Sequence, residues 1–331
     1  MGKTRIEWTQ ATWNPVTGCS PISPGCAHCY AARMAKRLAG RAGYPEAPDE
    51  FKVTVHPERL EEPLRWKKPR MVFVCSMGDL FHESLAIGHI EPIFEVIKAT
   101  PQHTYQILTK RPERMAIALS AISFHLNGNA PLQNLWVGVT AENQEQADRR
   151  VPVLLQIEAA TRFVSVEPCL SEIDLTELHQ QGMHHVNALT GKVCIEKPQY
   201  CTGYGAYYGN KLDWIICGGE TGPGARPMHP QWVRSLRDQC QTADTPFFFK
   251  SWGDWCPKSH TELFPTFDNS MRWGILTRDG EFYENTTPWN GRNEVSPDYE
   301  ATVYRIGKKA AGRLLDGRTW DEFPRDMVGT C

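Results

Sequence analysis

The fold is constrained most by a series of short apolar runs that are rich in β-branched and aromatic residues. These runs lack the alternation of polar and apolar positions that marks a strand with one exposed face. Uninterrupted apolar strands are typical of a parallel sheet that is covered on both faces. The runs occupy residues 71–75, 104–108, 135–139, 162–166, 214–217 and 247–249.

Helix-like segments separate most of these runs. Residues 87–99, 143–157 and 229–242 each place apolar side chains on one face at helical spacing, and Asn143 is a candidate N-cap. Alternation of strands and helices indicates an α/β fold with a parallel sheet. We therefore predict a parallel (β/α) barrel, partial or closed, over residues 1–255.

Two regions interrupt this pattern. Residues 176–212, which are rich in Gly and Tyr, predict an insertion between strands. Residues 256–331 are rich in Trp, Asn, Pro and Gly, and we expect them to form a C-terminal extension that caps the barrel. Within this extension, residues 307–317 have the composition of a short basic helix.

Composition narrows the classes of protein that fit. The 331 residues are 41% hydrophobic, and no apolar run is long enough to cross a membrane. The N-terminus lacks the apolar core of a signal peptide, so we expect a cytoplasmic protein with no membrane partner. Eleven unevenly spaced cysteines do not resemble a disulfide framework and favour reduced thiols and a metal site. Because the formal net charge is −2, an anionic substrate has to be held by a local patch.

The strongest motif is a group of three cysteines near the N-terminus. Cys19, Cys26 and Cys29 have the spacing C-x6-C-x2-C, in a loop rich in Pro and Gly. The residues after Cys29 have helical composition, so the positive end of the helix dipole favours the thiolate form of the cysteines. Three cysteines without an obvious fourth predict a four-iron four-sulfur (4Fe–4S) cluster with one iron left open.

Two other interpretations of the motif stay open. The cysteines can hold a structural zinc ion, with His28 or a distant cysteine as the fourth ligand. They can also be buried, unliganded thiols of the core. The spacing alone does not choose between iron and zinc, because both metals favour thiolate ligands.

Polar residues follow each of the predicted strands. In an α/β barrel the carboxyl ends of the strands face one mouth, where functional groups collect. Polar strand ends also occur where no site exists, but their recurrence here favours a site. The residues concerned are Ser76, Asp79, Thr109, Lys110, Arg111, Thr140, Glu142, Asn143, Glu167, Glu220 and Lys250.

The cysteine loop resembles the cluster loop of radical S-adenosylmethionine enzymes, in particular the spore photoproduct lyase type, which carries a Cys-x-x-Cys-Tyr ending. Six residues separate Cys19 from Cys26, where that superfamily usually has three. The matching residues are Asn14-Pro15, Gly18-Cys19 and Gly25-Cys26-Ala27-His28-Cys29-Tyr30-Ala31.

The whole chain is also similar to a three-Cys-motif family of phage and bacterial proteins of unknown function. The matching stretches span nearly its full length. They are Ile6-Glu7-Trp8, Ser76-Met77-Gly78-Asp79-Leu80-Phe81, Leu108-Thr109-Lys110-Arg111-Pro112, Ser165-Val166-Glu167-Pro168, Gly218-Gly219-Glu220-Thr221-Gly222 and Lys250-Ser251-Trp252-Gly253.

The resemblance implies a barrel of the radical S-adenosylmethionine type, which is TIM-like. It implies that the open iron binds S-adenosylmethionine, that an electron donor reduces the cluster, and that the resulting radical removes hydrogen from a substrate. Asp79 is the candidate for the cofactor's amino group, although capping the turn into Leu80 is an equally good role for it. The cofactor-binding candidates are Tyr30, Ser76, Asp79, Gly218, Gly219 and Glu220.

Charged residues at the same mouth are candidates for binding an anionic substrate. Arg111 can bind a carboxylate or phosphate through two parallel hydrogen bonds. An ion-pair network would also explain these charges, but exposed pairs add little stability, which favours a site. Trp252 can stack on a base or cap the barrel. The substrate-binding candidates are Lys110, Arg111, Glu142, Glu167, Arg226, Lys250 and Trp252.

The leading functional hypothesis is a non-standard radical S-adenosylmethionine enzyme that acts on a nucleic acid, a nucleotide or another anionic substrate. The alternative is a non-catalytic phage protein, stabilised by zinc or a cluster, that binds nucleic acid or a family-associated partner protein. A second metal site in the insertion would use His184, His185, Cys194 and Cys201, but their irregular spacing argues against it.

Overall fold

The computed structural model describes residues 4, 6–125, 131–180, 184–194, 206–258, 272–284 and 300–324. In chain order, the strands are β1 (Ala11–Trp13), β2 (Val16–Thr17), β3 (Thr54–Val55), β4 (Met71–Val74), β5 (Thr104–Thr109), β6 (Leu135–Thr140), β7 (Thr161–Val166), β8 (Leu178–Gln180), β9 (His184–Asn187), β10 (Lys192–Cys194), β11 (Ala206–Tyr208), β12 (Trp214–Gly218), β13 (Phe247–Ser251), β14 (Trp255–Pro257), β15 (Trp273–Thr277), β16 (Phe282–Glu284) and β17 (Glu300–Arg305). The α-helices are α1 (Tyr30–Leu38), α2 (Ile87–Ala99), α3 (Pro112–His125), α4 (Gln144–Leu155), α5 (Pro230–Thr242) and α6 (Lys308–Ala311).

The main sheet has seven parallel strands in the order β1-β4-β5-β6-β7-β12-β13. Because spatial order follows chain order, successive crossovers run in one direction and the sheet curls into a half-barrel. All six predicted strands belong to it, which confirms the parallel α/β architecture and its partial-barrel form. The sequence does not predict β1, because its three residues make too short an apolar run.

The helices follow the predicted periodicity. The structure confirms α2, α4 and α5, and the side chain of Asn143 caps α4 by accepting a hydrogen bond from Gln146 N at 3.0 Å. Helix α3 is not predicted from the sequence, although Met115, Ala118 and Ile122 lie buried at helical spacing. The predicted basic helix over residues 307–317 is wrong in length. Only α6 is helical there, because it is bounded by two glycines with positive φ.

Two separate cores flank the main sheet. One lies between the sheet and its helices. The other fills the face that the helices leave uncovered, and its aromatic side chains are Trp8, Trp136, Phe163, Trp214 and Phe248, with Phe73 and Phe323 packed against them. The interior of the half-barrel is therefore a packed core, and chemistry is confined to the mouth at the strand ends.

The interior core depends on a glycine in β6. A Cβ atom added at Gly138 would lie 2.6 Å from the ring of Phe163, its neighbour in β7. We expect Gly138→Ala to lower the free energy of unfolding by about 1–3 kcal/mol, because the buried ring has no free space to move into. Urea denaturation measures this change. Gly88→Ala is the control, since that helical glycine has nothing within 4 Å of an added Cβ, and equal losses in both variants would contradict the packing explanation.

Smaller sheets surround the half-barrel. The insertion contains the antiparallel sheet β11-β10-β9-β8, and the tail contains the antiparallel sheet β14-β17-β15-β16. The tail also contacts β13 and the loop after it, where Phe249 N donates to Trp320 O at 2.9 Å and Trp252 Nε1 to Leu314 O at 2.8 Å. The division of domains at residue 255 stays a prediction. Across the described ranges, no helix combines the length and apolar character that a membrane span requires.

Candidate metal and cofactor site at the barrel mouth

The cysteine loop lies over the carboxyl ends of the central strands. Its first anchor is the loop after β4, where Gly18 N donates to Met77 O at 2.9 Å and Gly18 forms a bridge with Gly78. A Cβ atom at Gly78 would lie 2.7 Å from Gly18 O, so only glycine permits this approach. On the outer side, Cys19 N donates to Phe51 O at 3.1 Å. The position of Cys19 is thus fixed from two directions.

The second anchor is a fully buried carboxylate. Glu142, at the end of β6, accepts a hydrogen bond from Gly25 N at 3.1 Å and pairs with Arg150 at 2.8 Å and Lys110 at 3.6 Å. Burial opposes ionisation of Glu142, but the charges of Lys110 and Arg150 outweigh it and hold its pKa below the ordinary value. The sequence predicts Glu142 to bind substrate, whereas the contacts observed in the structure attach the cysteine loop to the sheet.

The third anchor comes from the loop after β12. Arg226 Nη2 donates to Pro24 O at 3.1 Å, and the same guanidinium binds both oxygens of Glu220 at 2.7 and 2.9 Å. The predicted cofactor residue Glu220 and the predicted substrate residue Arg226 are therefore partners of each other. From α1, Arg33 Nη2 donates to Thr221 O at 2.9 Å and ties this loop to the helix after Cys29.

The three motif cysteines differ from the other free cysteines in exposure. Cys19, Cys26 and Cys29 are free and partly exposed, so their sulfurs can reach a ligand. Their backbones are close, because Cys29 N donates to Cys26 O at 3.2 Å and Cys29 stands at the N-cap of α1. The remaining free cysteines in the described part of the chain are buried; they are Cys75, Cys169, Cys217, Cys240 and Cys256. Buried, unliganded thiols therefore do not describe the motif.

The charges around Cys19 and Cys26 act in opposite directions. Burial and, to a smaller extent, the charge of Asp79 raise the pKa of Cys19 to about 11, although the guanidinium of Arg111 acts in the opposite direction. Arg111 Nη1 donates to the Cys19 sulfur at 3.4 Å. Burial also disfavours the thiolate of Cys26, but a backbone hydrogen bond at Ile22 and the charge of Lys110 outweigh it, so the pKa of Cys26 is lowered. Cys26 is thus prepared to ionise, whereas Cys19 needs a further cation.

The donor set of the loop fits a thiolate-bound metal centre. It supplies three free, partly exposed thiols and a guanidinium that donates to one of the sulfurs. Soft thiolate ligands suit both iron–sulfur clusters and zinc. Within the residues that the structure describes, no three His, Cys, Asp or Glu side chains stand in ligand geometry around one point. Thiolates repel one another until a cation joins them, so the fit rests on the donors and their exposure.

Asp79 joins the loops after β4 and β5. Its carboxylate accepts hydrogen bonds from Phe81 N at 3.0 Å, Thr109 Oγ1 at 2.7 Å and Arg111 Nη1 at 3.0 Å, with Lys110 N at 3.3 Å. The bond from Phe81 N forms the turn cap that is the alternative role for Asp79. Four donors use most of the capacity of one carboxylate. Cofactor binding by Asp79 therefore stays a prediction.

The guanidinium of Arg111 is engaged within the protein. Besides Asp79 and Cys19 it binds Glu83 at 2.7 Å through Nε and the backbone oxygen of Ser20 at 3.2 Å through Nη2. Its side chain is almost fully buried. The predicted fork toward a substrate carboxylate or phosphate is thus occupied by the protein's own groups.

The opposite side of the mouth carries a lysine–glutamate pair. Lys250, in β13, pairs with Glu167 at 2.9 Å, and Ser165 donates to Glu167 at 3.1 Å. Burial favours the neutral amine of Lys250, but Glu167 outweighs this effect and raises the pKa of Lys250. Gly218 leaves room for the carboxylate, because a Cβ there would lie 2.7 Å from Glu167 Oε1. The ion pairs that the sequence left as an alternative to substrate contacts are therefore formed.

The remaining residues predicted to contact cofactor or substrate differ in how far their side chains are exposed. Tyr30 is 60% exposed beside Cys29, whereas Trp252 is 2% exposed, lies 5.1 Å from the ring of Phe249 and caps the barrel. Gly219 permits the backbone of Trp252 to approach, since a Cβ would lie 2.0 Å from Trp252 O. Ser76 Oγ donates to the side chain of Asn14 at 3.2 Å.

The second metal site, which the irregular spacing in the insertion argues against, gains no support from the described residues. Cys194 is disulfide-bonded, and His185 lies 3.5 Å from Glu177. The side chain of His184 and the whole of Cys201 lie outside the described residues.

Several residues of the site are not predicted from the sequence. Asn14 accepts hydrogen bonds from Ser76 and from Met77 N at 3.0 Å, and Arg150 holds Glu142. Arg150 did carry a signal, because it lies on the apolar face of α4 next to Val151, where an unpaired charge is costly. Asn14 carried none beyond its place in the matching motif.

The main sheet is a half-barrel of parallel strands, and three accessible thiols lie at its mouth. The protein is therefore an α/β protein with a partial barrel and a candidate thiolate metal site. Residues 3–324 match the family model described as "Protein of unknown function (DUF5131)", and the chain belongs to this family. No curated protein and no solved structure matches the sequence. Membership of a family of unknown function that spans nearly the whole chain is thus confirmed.

Proposed function

We propose that Cys19, Cys26 and Cys29 hold a 4Fe–4S cluster with one open iron, and that the protein is a non-standard radical S-adenosylmethionine enzyme. The observation that carries this proposal is the loop of three accessible thiols, fastened over the strand ends of a half-barrel. When bound, the cluster and S-adenosylmethionine would supply an electron and a carbon radical that removes hydrogen from the substrate. The proposed substrate of the enzyme is a nucleic acid, a nucleotide or another anion.

The chain's own residues would perform three tasks. The three cysteines bind the metal, and Arg111 donates a hydrogen bond to one ligand sulfur, a contact that tunes the reduction potential of such clusters. The aromatic interior closes the barrel below the mouth and excludes water. Lys110 is the favoured contact for a substrate anion, because its 3.6 Å separation from Glu142 is longer than a hydrogen bond.

Tyr30, Ser76 and Gly218 surround the mouth and are the proposed contacts for S-adenosylmethionine. Tyr30 is exposed beside Cys29 at the rim of the mouth, and Gly218 lies at the end of β12, where the carboxylate of Glu167 fills the space that a side chain would occupy. An electron donor has to reduce the cluster, so the mouth must be reachable by a second redox centre.

Anaerobic purification tests the proposal. We expect a brown protein with about four iron and four sulfide per chain. After reduction in the presence of S-adenosylmethionine, it should release 5′-deoxyadenosine, which mass spectrometry detects. A colourless protein with one zinc ion and no 5′-deoxyadenosine would instead identify the alternative, a zinc-stabilised binding protein without catalytic activity.

A further inference from the structure

The N-terminal part of the chain has an unusual charge distribution. Residues 8–45 contain no Asp or Glu but include Arg33, Lys36, Arg37 and Arg41, although the whole chain has a net charge of −2. This segment contains the cysteine loop and α1. The positive charge is therefore concentrated on the element that carries the proposed cluster.

The cations of α1 lie on its outer face. Ala31 and Ala35 are buried against the protein, and at 100° per residue Lys36 and Arg37 fall on the opposite side of the helix. The guanidinium of Arg33 instead packs against the loop after β12. Lys36 and Arg37 are exposed, as is Arg41 in the turn after the helix. Tyr30, with 60% of its surface exposed, begins the same side of the helix, since it lies seven residues before Arg37.

Lys36, Arg37 and Arg41 form no ion pair with another described residue, although the carboxylate of Glu46 lies close to Gly40, just after the end of α1. At the mouth, Lys110, Arg111, Arg226 and Lys250 each pair with a carboxylate. A partner that carries regularly spaced negative charge would therefore find the outer face of α1 available.

The basic face is continuous with the mouth. Cys29 is the N-cap of α1, and Arg33 donates to Thr221 O in the loop that follows β12. The nine residues of α1 extend from there over roughly 13 Å, at 1.5 Å per residue. This length spans a few nucleotides of an extended strand and is too short for a large duplex-binding face.

We propose that Tyr30, Lys36, Arg37 and Arg41, termed the α1 strip, bind the backbone of single-stranded nucleic acid. Exposed cations next to an exposed aromatic ring are the combination that holds single strands, in which phosphates pair with the cations and a base stacks on the ring. The α1 strip then leads one nucleotide to the mouth. This inference rests on the proposed function for catalysis and names its substrate class, but strand binding itself does not require the metal.

The test is fluorescence anisotropy with a labelled single strand of about 12 nucleotides, within the usual size of such sites. The metal-loaded, full-length protein is titrated, and the double variant K36A/R37A is compared with the matched control K67A/K68A. Lys67 and Lys68 are also exposed, but they precede β4 at the opposite end of the barrel. Both variants lose the same charge.

We expect K36A/R37A to bind roughly tenfold more weakly and to reduce the slope of log K against log salt by about 1.4, which is 0.7 for each lost phosphate contact. The control should stay within about twofold of the wild type. Tyr30→Ala should weaken binding by roughly tenfold, whereas Tyr30→Phe should not, because stacking uses only the ring.

The proposal would be overturned by no binding of the wild type to any single strand, by equal losses in both double variants, or by tighter binding of the matching duplex. Capture of an acidic protein instead, with no affinity for oligonucleotides, would also overturn it. Failure of the proposed function looks different. If the metal-loaded protein releases no 5′-deoxyadenosine while strand binding persists, only the catalytic proposal fails; Cys26→Ala should likewise bind the strand without any metal.

Discussion

Cys26→Ala should lose the iron of the anaerobically purified protein almost completely, from about four atoms per chain to nearly none. The pKa of Cys26 is lowered, which favours the thiolate form that binds metal. A cluster with only two remaining thiolates has too few protein ligands to persist. Iron and sulfide analysis, together with the loss of visible absorption, measures the effect.

The control for this experiment is Cys256→Ala. Cys256 is a free cysteine in β14 that is completely buried, so its removal changes the number of thiols but not the accessible set. It should retain the iron content of the wild type. Retention of iron by Cys26→Ala, or equal loss in both variants, would exclude the motif as the metal site.

Glu142→Ala should lower the free energy of unfolding by about 3–5 kcal/mol, the usual effect of removing one partner of a buried ion pair. Arg150 is only 1% exposed and would be left as an uncompensated buried charge, while Gly25 N would lose its acceptor. Urea denaturation measures the loss. Glu95→Ala, which removes an exposed carboxylate from α2, should change stability by less than about 0.5 kcal/mol.

Acidic pH provides a second measure of the same carboxylate. The pKa of Glu142 is lower in the folded protein than in the unfolded chain, so its contribution is fully present above the unfolded pKa. That contribution is lost as the pH falls through the folded pKa. The stability difference between wild type and Glu142→Ala should therefore shrink below about pH 4. A difference that stays constant down to acid-induced unfolding would show that the charge of Glu142 is not what stabilises the fold.

The sequence predicts the strands well because each is a local property. An apolar run such as residues 214–217 has to be buried, and the polar residues that follow it have to lie at the strand end. It predicts the three cysteines for the same reason, since their spacing within one loop is itself the signal. Strand β1 is not predicted, because the pattern of three residues is too short to distinguish a strand from a loop.

The residues that contact each other within the site are far apart in the sequence, so their pairing could not be predicted. Gly25 and Glu142 are 117 positions apart, and Arg111 and Cys19 are 92 apart. Spacing correctly places Arg111 and Glu142 at the mouth but does not show which groups they face. Their charges suggest a substrate, whereas the three-dimensional arrangement shows that they support the cysteine loop.

The fastening of the cysteine loop has a consequence for the order in which the protein matures. In small zinc modules the ion organises a chain that is otherwise unfolded. Here the anchors at Gly18, Pro24 and Gly25 belong to the polypeptide alone, so the loop acquires its path as the half-barrel forms. For the metal proposed above, delivery would then be a late step in assembly that fills an already folded site, and chelation should remove the metal without unfolding the barrel.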